Sequence, residues 1–252
     1  MEVLILVGIL LIVIVVVAAS LKRGGSESEV HIYDAESTSA PDVSIAFLQR
    51  ETVDLSKLLP LQFVVLDLET TGLSPHHDEI IEIGAILVTI DSDNHTGFQT
   101  LVMPERKVPR RITKITGITQ DMVNSEGLQL EDALAQFMEF IGDLPLVTFN
   151  AEFDMGFLHN AAKKHGKVIN NRYTCALKRA RRAWPGLRSY RLVDLAKMGK
   201  LSDEDTHRAL GDCKRTMIVF TAATSTLGQK VRWTKPRNEL SQQTIQEAGL
   251  KR

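Results

Sequence analysis

Residues 63–73 read FVVLDLETTGL. Phe63, Val64, Val65 and Leu66 form an apolar, partly β-branched run of the kind that fills a strand covered on both faces. Asp67 and Glu69 follow with only Leu68 between them, and Thr70, Thr71 and Gly72 break the strand. Strand side chains alternate faces, so the two carboxylates point the same way. Like charges on one face repel, and burying either one unpaired is costly. Two resolutions are open at this point. The strand end is solvated, or a divalent cation sits there, since hard ions such as Mg²⁺ prefer carboxylate oxygens.

Working outward, residues 62–68 read as a first strand. IIEIGAILVTI, 80–90, is a second apolar run that stops at the turn signal DSDN. GFQTLVM, 97–103, alternates weakly and ends at Pro104, which suggests a third strand in a hairpin. Leu130, Leu134, Phe137 and Ile141 recur at helical spacing. LPLVTFN returns as a short strand ending at Asn150, and Phe153, Phe157 and Ala161 mark a helix stopped by Gly166. RLVDLAKMG and HRALGDCKRTMIVFTAATSTL read as further helices. Strands first, then helix–strand–helix units, give a mixed α/β fold with a central sheet.

Two more clusters carry chemistry. Asp154 lies four residues after Asn150 and about 100° from Phe153, at the margin of the expected apolar face. Taken alone it is a first-turn Asp that favours the helix dipole. His207 and Asp212 are five residues apart around a helix start that Thr206 can cap. Taken alone His207 is a surface or satisfied core histidine. His76, His77, His95, His159 and His165 lack a comparable setting, and Asp203-Glu204-Asp205 reads as a solvated loop.

The ordered set is more specific than its parts. Asp-x-Glu on a first strand, Asp on a mid-chain helix and His-x4-Asp on a late helix resemble the histidine branch of the DEDD superfamily of 3′–5′ exonucleases. The neighbourhoods DLETTGL, DEIIEIGAI, ITGIT (115–119), NAEFDMGFL, SYRLVDLA and HRALGDC match in order, over about residues 60–226. The nearest likeness within the superfamily is to epsilon, the proofreading subunit of bacterial DNA polymerase III, and its free-standing relatives. The resemblance implies a ribonuclease-H-like exonuclease fold, a central mixed sheet flanked by helices. The sequence departs from the pattern at Phe149, where the family commonly has His, and this bears on substrate preference rather than on the metal carboxylates.

The resemblance also implies roles. Asp67, Glu69, Asp154 and Asp212 hold two divalent cations, Mg²⁺ or Mn²⁺, with Asp67 shared between them. His207 is the general base, a task suited to a near-neutral pKa. The backbone around Thr70, Thr71, Gly72 and Leu73 meets the terminal nucleotide, with Leu73 wedging beside the last base, and Asn150 is a further substrate contact. The implied partner is a nucleic acid 3′ end, with DNA preferred, and the product is a nucleoside 5′-monophosphate. A polymerase is a candidate partner. An exoribonuclease on the same chemistry, and a catalytically silent membrane scaffold, are the alternative functions. The scaffold reading gives no reason to keep a repulsive carboxylate cluster.

The remainder of the 252 residues divides by composition. The chain is 44% hydrophobic and 24% charged, with net charge −1, which suits one ordinary domain plus extensions. The two cysteines, Cys175 and Cys213, form no metal or redox spacing and fit a reducing compartment. Every residue from Val3 to Ala19 is apolar, a run that spans about 26 Å as a helix and so reads as a transmembrane anchor within residues 1–20. A cleaved signal peptide is the rival reading, because Ala18-Ala19-Ser20 offers a cleavage site. Glu2, though, stands where a basic n-region belongs. With cleavage, the protein becomes a secreted phosphodiesterase. Lys22 and Arg23 place the following segment in the cytoplasm of a bacterial cell, on a single-pass inner-membrane protein. The expected organisation is anchor 1–20, tether 21–58, exonuclease domain 59–228 and polar tail 229–252.

The charge is most lopsided between Met155 and Val193, which hold ten Lys or Arg residues and no Asp or Glu. Arg179, Arg181 and Arg182 are its centre and the expected backbone contacts for nucleic acid, with Trp184 or Tyr190 stacking on bases. Anionic lipid is the competing partner for this face.

Overall fold

The computed structural model describes residues 53–92, 94–199 and 208–236. The expected anchor at 3–19, most of the tether, the tail beyond 236 and the proposed base His207, with Thr206, lie outside the described residues. Among the described residues no helix is long and apolar enough to cross a membrane.

Five strands form one mixed sheet in the order β3-β2-β1-β4-β5. They are β1 (Gln62–Thr70), β2 (Ile80–Thr89), β3 (Thr96–Leu101), β4 (Leu146–Thr148) and β5 (Tyr173–Cys175). β1 is central. It runs antiparallel to β2 and parallel to β4, so Phe63 to Leu66 are fully buried on both faces. That explains why its sequence is a continuous apolar run rather than an alternating one.

Seven helices cover the sheet among the described residues: α1 (Arg110–Thr116), α2 (Gln120–Glu126), α3 (Leu130–Ile141), α4 (Ala151–Lys164), α5 (Ala176–Ala183), α6 (Leu192–Met198) and α7 (Ala209–Leu227). Alternation along β1 sorts them. Val64, Leu66 and Leu68 pack with Leu134, Phe137 and Ile141 of α3 and Met155, Leu158 and Ala162 of α4. Phe63 and Val65 face the other way, onto Cys213 and Phe220 of α7 and Ala176 of α5. Phe63 and Phe220 meet edge to face with ring centroids 5.8 Å apart. Asp67 and Glu69 continue the α7 side of that alternation.

Gly84 is what lets α7 come close. It pairs with Asp67 across the β1–β2 ladder. A Cβ there would lie 2.6 Å from the backbone carbon of Ala209 and 2.7 Å from the Leu210 nitrogen. Any side chain would push the first turn of α7 off the sheet at the level of Asp67.

The C-terminal end of the domain differs from the sequence expectation. Leu55–Lys57 form a short 3₁₀ turn and Leu59 is buried. Val231 is buried too, its amide donating to the Leu58 carbonyl, and Thr234 bridges to Tyr173 at the free edge of β5. Residues 229–234, expected at the start of a polar tail, therefore pack on the domain and cover an otherwise open strand edge.

Candidate active site

Three elements converge at the C-terminal end of β1. Asp67 and Glu69 come from the strand and Asp212 from the first turn of α7, and their carboxylate oxygens lie within 4.8 Å of one another. Asp154 closes the group from the first turn of α4. It is buried, and it accepts hydrogen bonds from the Thr148 hydroxyl and from the backbone at Leu68 and Asn150. β4 ends at Thr148 while β1 runs on to Thr70, so Asp154 sits beside the stretch of β1 that β4 has left.

The sequence reading put Phe153, Phe157 and Ala161 at the centre of the buried stripe of α4, with Asp154 at its margin. The buried set is instead Ala151, Asp154, Met155, Phe157, Leu158, Ala161 and Ala162. Phe153 is only half-buried and leans on Phe157, with ring centroids 4.9 Å apart. The Thr148 hydroxyl and the backbone donors make Asp154 acceptable in the interior.

Electrostatics mark the cluster as incomplete. Burial, and then the charges of Asp154, Asp212, Glu69 and Glu82, push Asp67 well above the carboxylate range. Burial and Asp212 lead the causes that raise Glu69 to about 8. Burial raises Asp154 to about 7 despite the Thr148 hydroxyl, which pulls the other way. Asp212 has an internal partner, Arg215, whose guanidinium donates to it at 2.6 Å. Arg208 also pulls Glu69 down, yet the net effect of burial and neighbouring acids still raises Glu69, Asp67 and Asp154. The donor set is all carboxylate oxygen, converging and short of positive charge, which fits hard divalent cations.

Glu82 is a positioning residue the sequence reading passed over. It stands opposite Glu69 in the β1–β2 ladder and is completely buried. Its carboxylate receives Arg208 at 2.6 Å, the amide of Ala209 at 2.9 Å and the Gln99 side chain at 2.8 Å. Glu82 thereby pins the start of the helix that carries Asp212. A lone carboxylate within IIEIGAI, an otherwise apolar strand, was the available signal.

The expected substrate contacts divide. Thr70 and Thr71 are buried. The Thr70 hydroxyl donates to the Gly72 carbonyl, and that of Thr71 accepts from the Glu79 amide at 2.9 Å. Their hydroxyls shape the turn after β1, whose backbone is the expected contact. Gly72 lies against the Asp78 carboxyl, 2.5 Å or less from where a Cβ would stand. Leu73 is 82% exposed at the tip of that turn. Asn150 is exposed at the N-cap of α4, where its side chain makes no cap hydrogen bond.

Two residues of the basic run are corrected. Arg179 is buried, its Nε donating to Thr224 at 2.8 Å and its Nη2 to the Gln229 carbonyl. Trp184 is buried as well and cannot stack on a base. On α5, Ala176, Arg179 and Ala180 share the stripe that packs on α7, and burial and the Arg182 charge lower Arg179 to about 10. Arg181 is exposed and lies over the Tyr190 ring at 5.7 Å, while Arg182 reaches the Gln229 side chain at 3.1 Å.

Comparison with known proteins gives this arrangement its family. The sequence model of the RNase_T exonuclease family matches residues 64–220, from the middle of β1 into α7. The chain belongs to that exonuclease family. It is 40% identical over 159 residues to the PolC-type DNA polymerase III of Clostridium perfringens, covering 63% of this chain and 11% of that protein. It is 37% identical over 164 residues to the DNA polymerase III epsilon subunit of Aquifex aeolicus, covering 65% of this chain and 80% of that one. Among solved structures, exonuclease X in complex with 5′ overhanging duplex DNA superposes with a TM-score of 0.55 at 28% identity, over 67% of this chain and 94% of that one. This exonuclease-family domain thus has the ribonuclease-H-like exonuclease fold expected from its motifs. The match covers about a tenth of the length of the PolC-type relatives, and the family model spans the segment that holds all four carboxylates.

Proposed function

We propose that the protein is a 3′–5′ exonuclease that hydrolyses the terminal phosphodiester bond of DNA and releases nucleoside 5′-monophosphates. The carrying observation is the convergence of Asp67, Glu69 and Asp212 within 4.8 Å, with Asp154 buried beside them. Bound Mg²⁺ or Mn²⁺ supplies the charge that activates water and stabilises the departing 3′ oxygen. Asp67, Glu69, Asp154 and Asp212 would hold the ions. His207 takes the proton of the attacking water. It directly precedes Arg208, which Glu82 fixes. Leu73 and Asn150 face the end of the strand. The DNA polymerase and DNA exonuclease relatives favour DNA over RNA, and a polymerase remains the candidate protein partner.

In this reading residues 3–19 anchor the protein in a bacterial inner membrane. Lys22 and Arg23 keep the domain on the cytoplasmic side, and the segment that follows them is its tether. Protease added to intact cells should leave the domain uncut, and carbonate washing should leave it in the membrane fraction. Release of a soluble form beginning near Leu21 would refute the anchor.

The activity is tested by incubating the detergent-solubilised chain with 5′-labelled single-stranded DNA, duplex DNA and RNA, in Mg²⁺, in Mn²⁺ and in chelator. The expected result is a ladder shortening from the 3′ end of DNA only when metal is present. Intact substrate under every condition would overturn the proposal.

A further inference from the structure

Away from the carboxylates, a cleft of about 330 Å³ opens between the start of α4, strand β5, the first turns of α5 and the segment after α7. Lys178, Arg179, Arg182 and Arg232 line it, against Glu152 as the one carboxylate in the lining. Its positive charge is not cancelled from within. Arg179 and Arg182 are held by the backbone carbonyl and side-chain amide of Gln229, both neutral acceptors, so both guanidiniums keep their full charge while fixed in place. Ala151 and Cys175, at the N-terminal ends of α4 and α5, also border the cleft, and helix N-termini carry partial positive charge. Crowded, immobilised cations beside two helix starts are complementary to a phosphate group.

The position relative to the site decides which phosphate. Glu152 lines the cleft and Asp154 belongs to the carboxylate cluster, and both stand in the first turn of α4. Residues two apart in sequence point about 200° apart on a helix, so Glu152 faces away from Asp154 while Ala151 turns toward it, and the cleft borders α4 at about one helix diameter, ~10 Å, from the acids. At ~3.4 Å per stacked nucleotide, that is about three nucleotides along a strand. We infer that this cleft is a subsite for the backbone phosphates of the substrate strand about three nucleotides upstream of its 3′ end. The inference rests on the exonuclease reading and adds to it a minimum strand length for full affinity.

Lys178 and Arg232 are exposed, so replacing them leaves the packing intact. The test uses the full chain in nonionic detergent with Mg²⁺, carrying Asp67→Asn to stop turnover, with or without Lys178→Ala and Arg232→Ala together. Binding of 5′-labelled oligodeoxythymidylates of two to ten nucleotides is measured against salt. Without the cleft substitutions, affinity should step up about tenfold once the strand exceeds about four nucleotides. With them, the step should vanish, and the slope of log K against log salt should fall by about 1.4, at ~0.7 per phosphate contact. A length step that survives both substitutions would overturn the subsite. So would saturable binding of inorganic phosphate, or of anionic phosphatidylglycerol vesicles, that is lost in the double variant while the length step stays. Hydrolysis of a nitrophenyl ester of thymidine 5′-monophosphate by the unsubstituted chain tests the exonuclease reading by itself, because that ester is too short to reach the cleft. Its absence would sink that reading whatever the oligonucleotides show.

Discussion

Glu69 and Glu82 are the same residue type, opposite one another in the same pair of strands, and they have opposite fates. Glu82 is the more deeply buried, yet it is met by a guanidinium, a backbone amide and a side-chain amide. Glu69 has acids for neighbours and is pushed up to about 8. Burial alone therefore does not separate a structural carboxylate from a functional one. The difference is whether the fold supplies donors or withholds them. Where it withholds them, the protein accepts a standing electrostatic cost that only an external cation relieves.

The strongest way to break this contrast is at the withheld end. Asp67→Asn should lower nucleotide release by about 10³-fold or more, the several kcal/mol that a positioned cation contributes. The same substitution should raise the melting temperature in chelator, because one repelling charge is gone. A labelled strand and a thermal melt in EDTA measure the two, and unchanged activity would refute the metal assignment.

Arg215 tests the boundary between the two kinds of carboxylate, since it gives Asp212 internal compensation. Arg215→Met should cost about 3–5 kcal/mol in urea unfolding without metal, as breaking a buried pair does. Adding Mn²⁺ should recover much of that loss, because the ion binds only the folded form. An equal loss with and without Mn²⁺ would mean that Asp212 is not a metal ligand.

Glu82→Gln should cost about 2–3 kcal/mol, less than a fully enclosed pair because Arg208 keeps contact with solvent. Its effect should depend on metal less than that of Arg215→Met in the same unfolding assay, since Glu82 has its own protein donors.

pH sharpens the comparison more gently. Glu69 and Asp154 titrate at about 8 and about 7 in the metal-free fold, against about 4 in an unfolded chain. Between those values the folded state holds more protons than the unfolded one, so stability should fall as pH rises from about 4 to about 8. Melting in EDTA at pH 5.5 and pH 8 should show that decline, and Mg²⁺ should flatten it. The smallest effect is Leu73→Ala. At 82% exposure it should change stability by less than about 0.5 kcal/mol. Its few-fold weakening of binding to a 3′ end should be visible only in the nuclease or binding assay.

The sequence was most legible where periodicity and chemistry agreed. The apolar run before Asp67 marked the central strand, and Leu130, Leu134, Phe137 and Ile141 marked α3 to its last residue. The helices α1 and α2 escaped notice because each is only seven residues long and mostly polar. They are held by local devices, the left-handed Gly117 and the Thr119 hydroxyl that accepts from the Met122 amide. β5 has three residues, too few for any period. Arg179 was misread because its charge outweighed its place. Ala176, Arg179 and Ala180 follow the spacing of a buried helical stripe, and long side chains bury their stems readily once their heads find acceptors. The Glu82–Arg208 clamp joins residues far apart in sequence, and that pairing is a property of topology.

The close seat of α7 on Gly84 has a consequence in time. Ribosomal synthesis delivers β1, with Asp67 and Glu69, long before Ala209 and Asp212, on the order of ten seconds at ordinary translation rates. Until the last helix settles over that glycine the ligand set is open on one side. On the proposed reading a growing chain therefore holds an incomplete carboxylate set until α7 emerges, and a chain cut short before α7 never gains Asp212. Completion of the carboxylate set is a late event of synthesis, timed by the order of the genetic message.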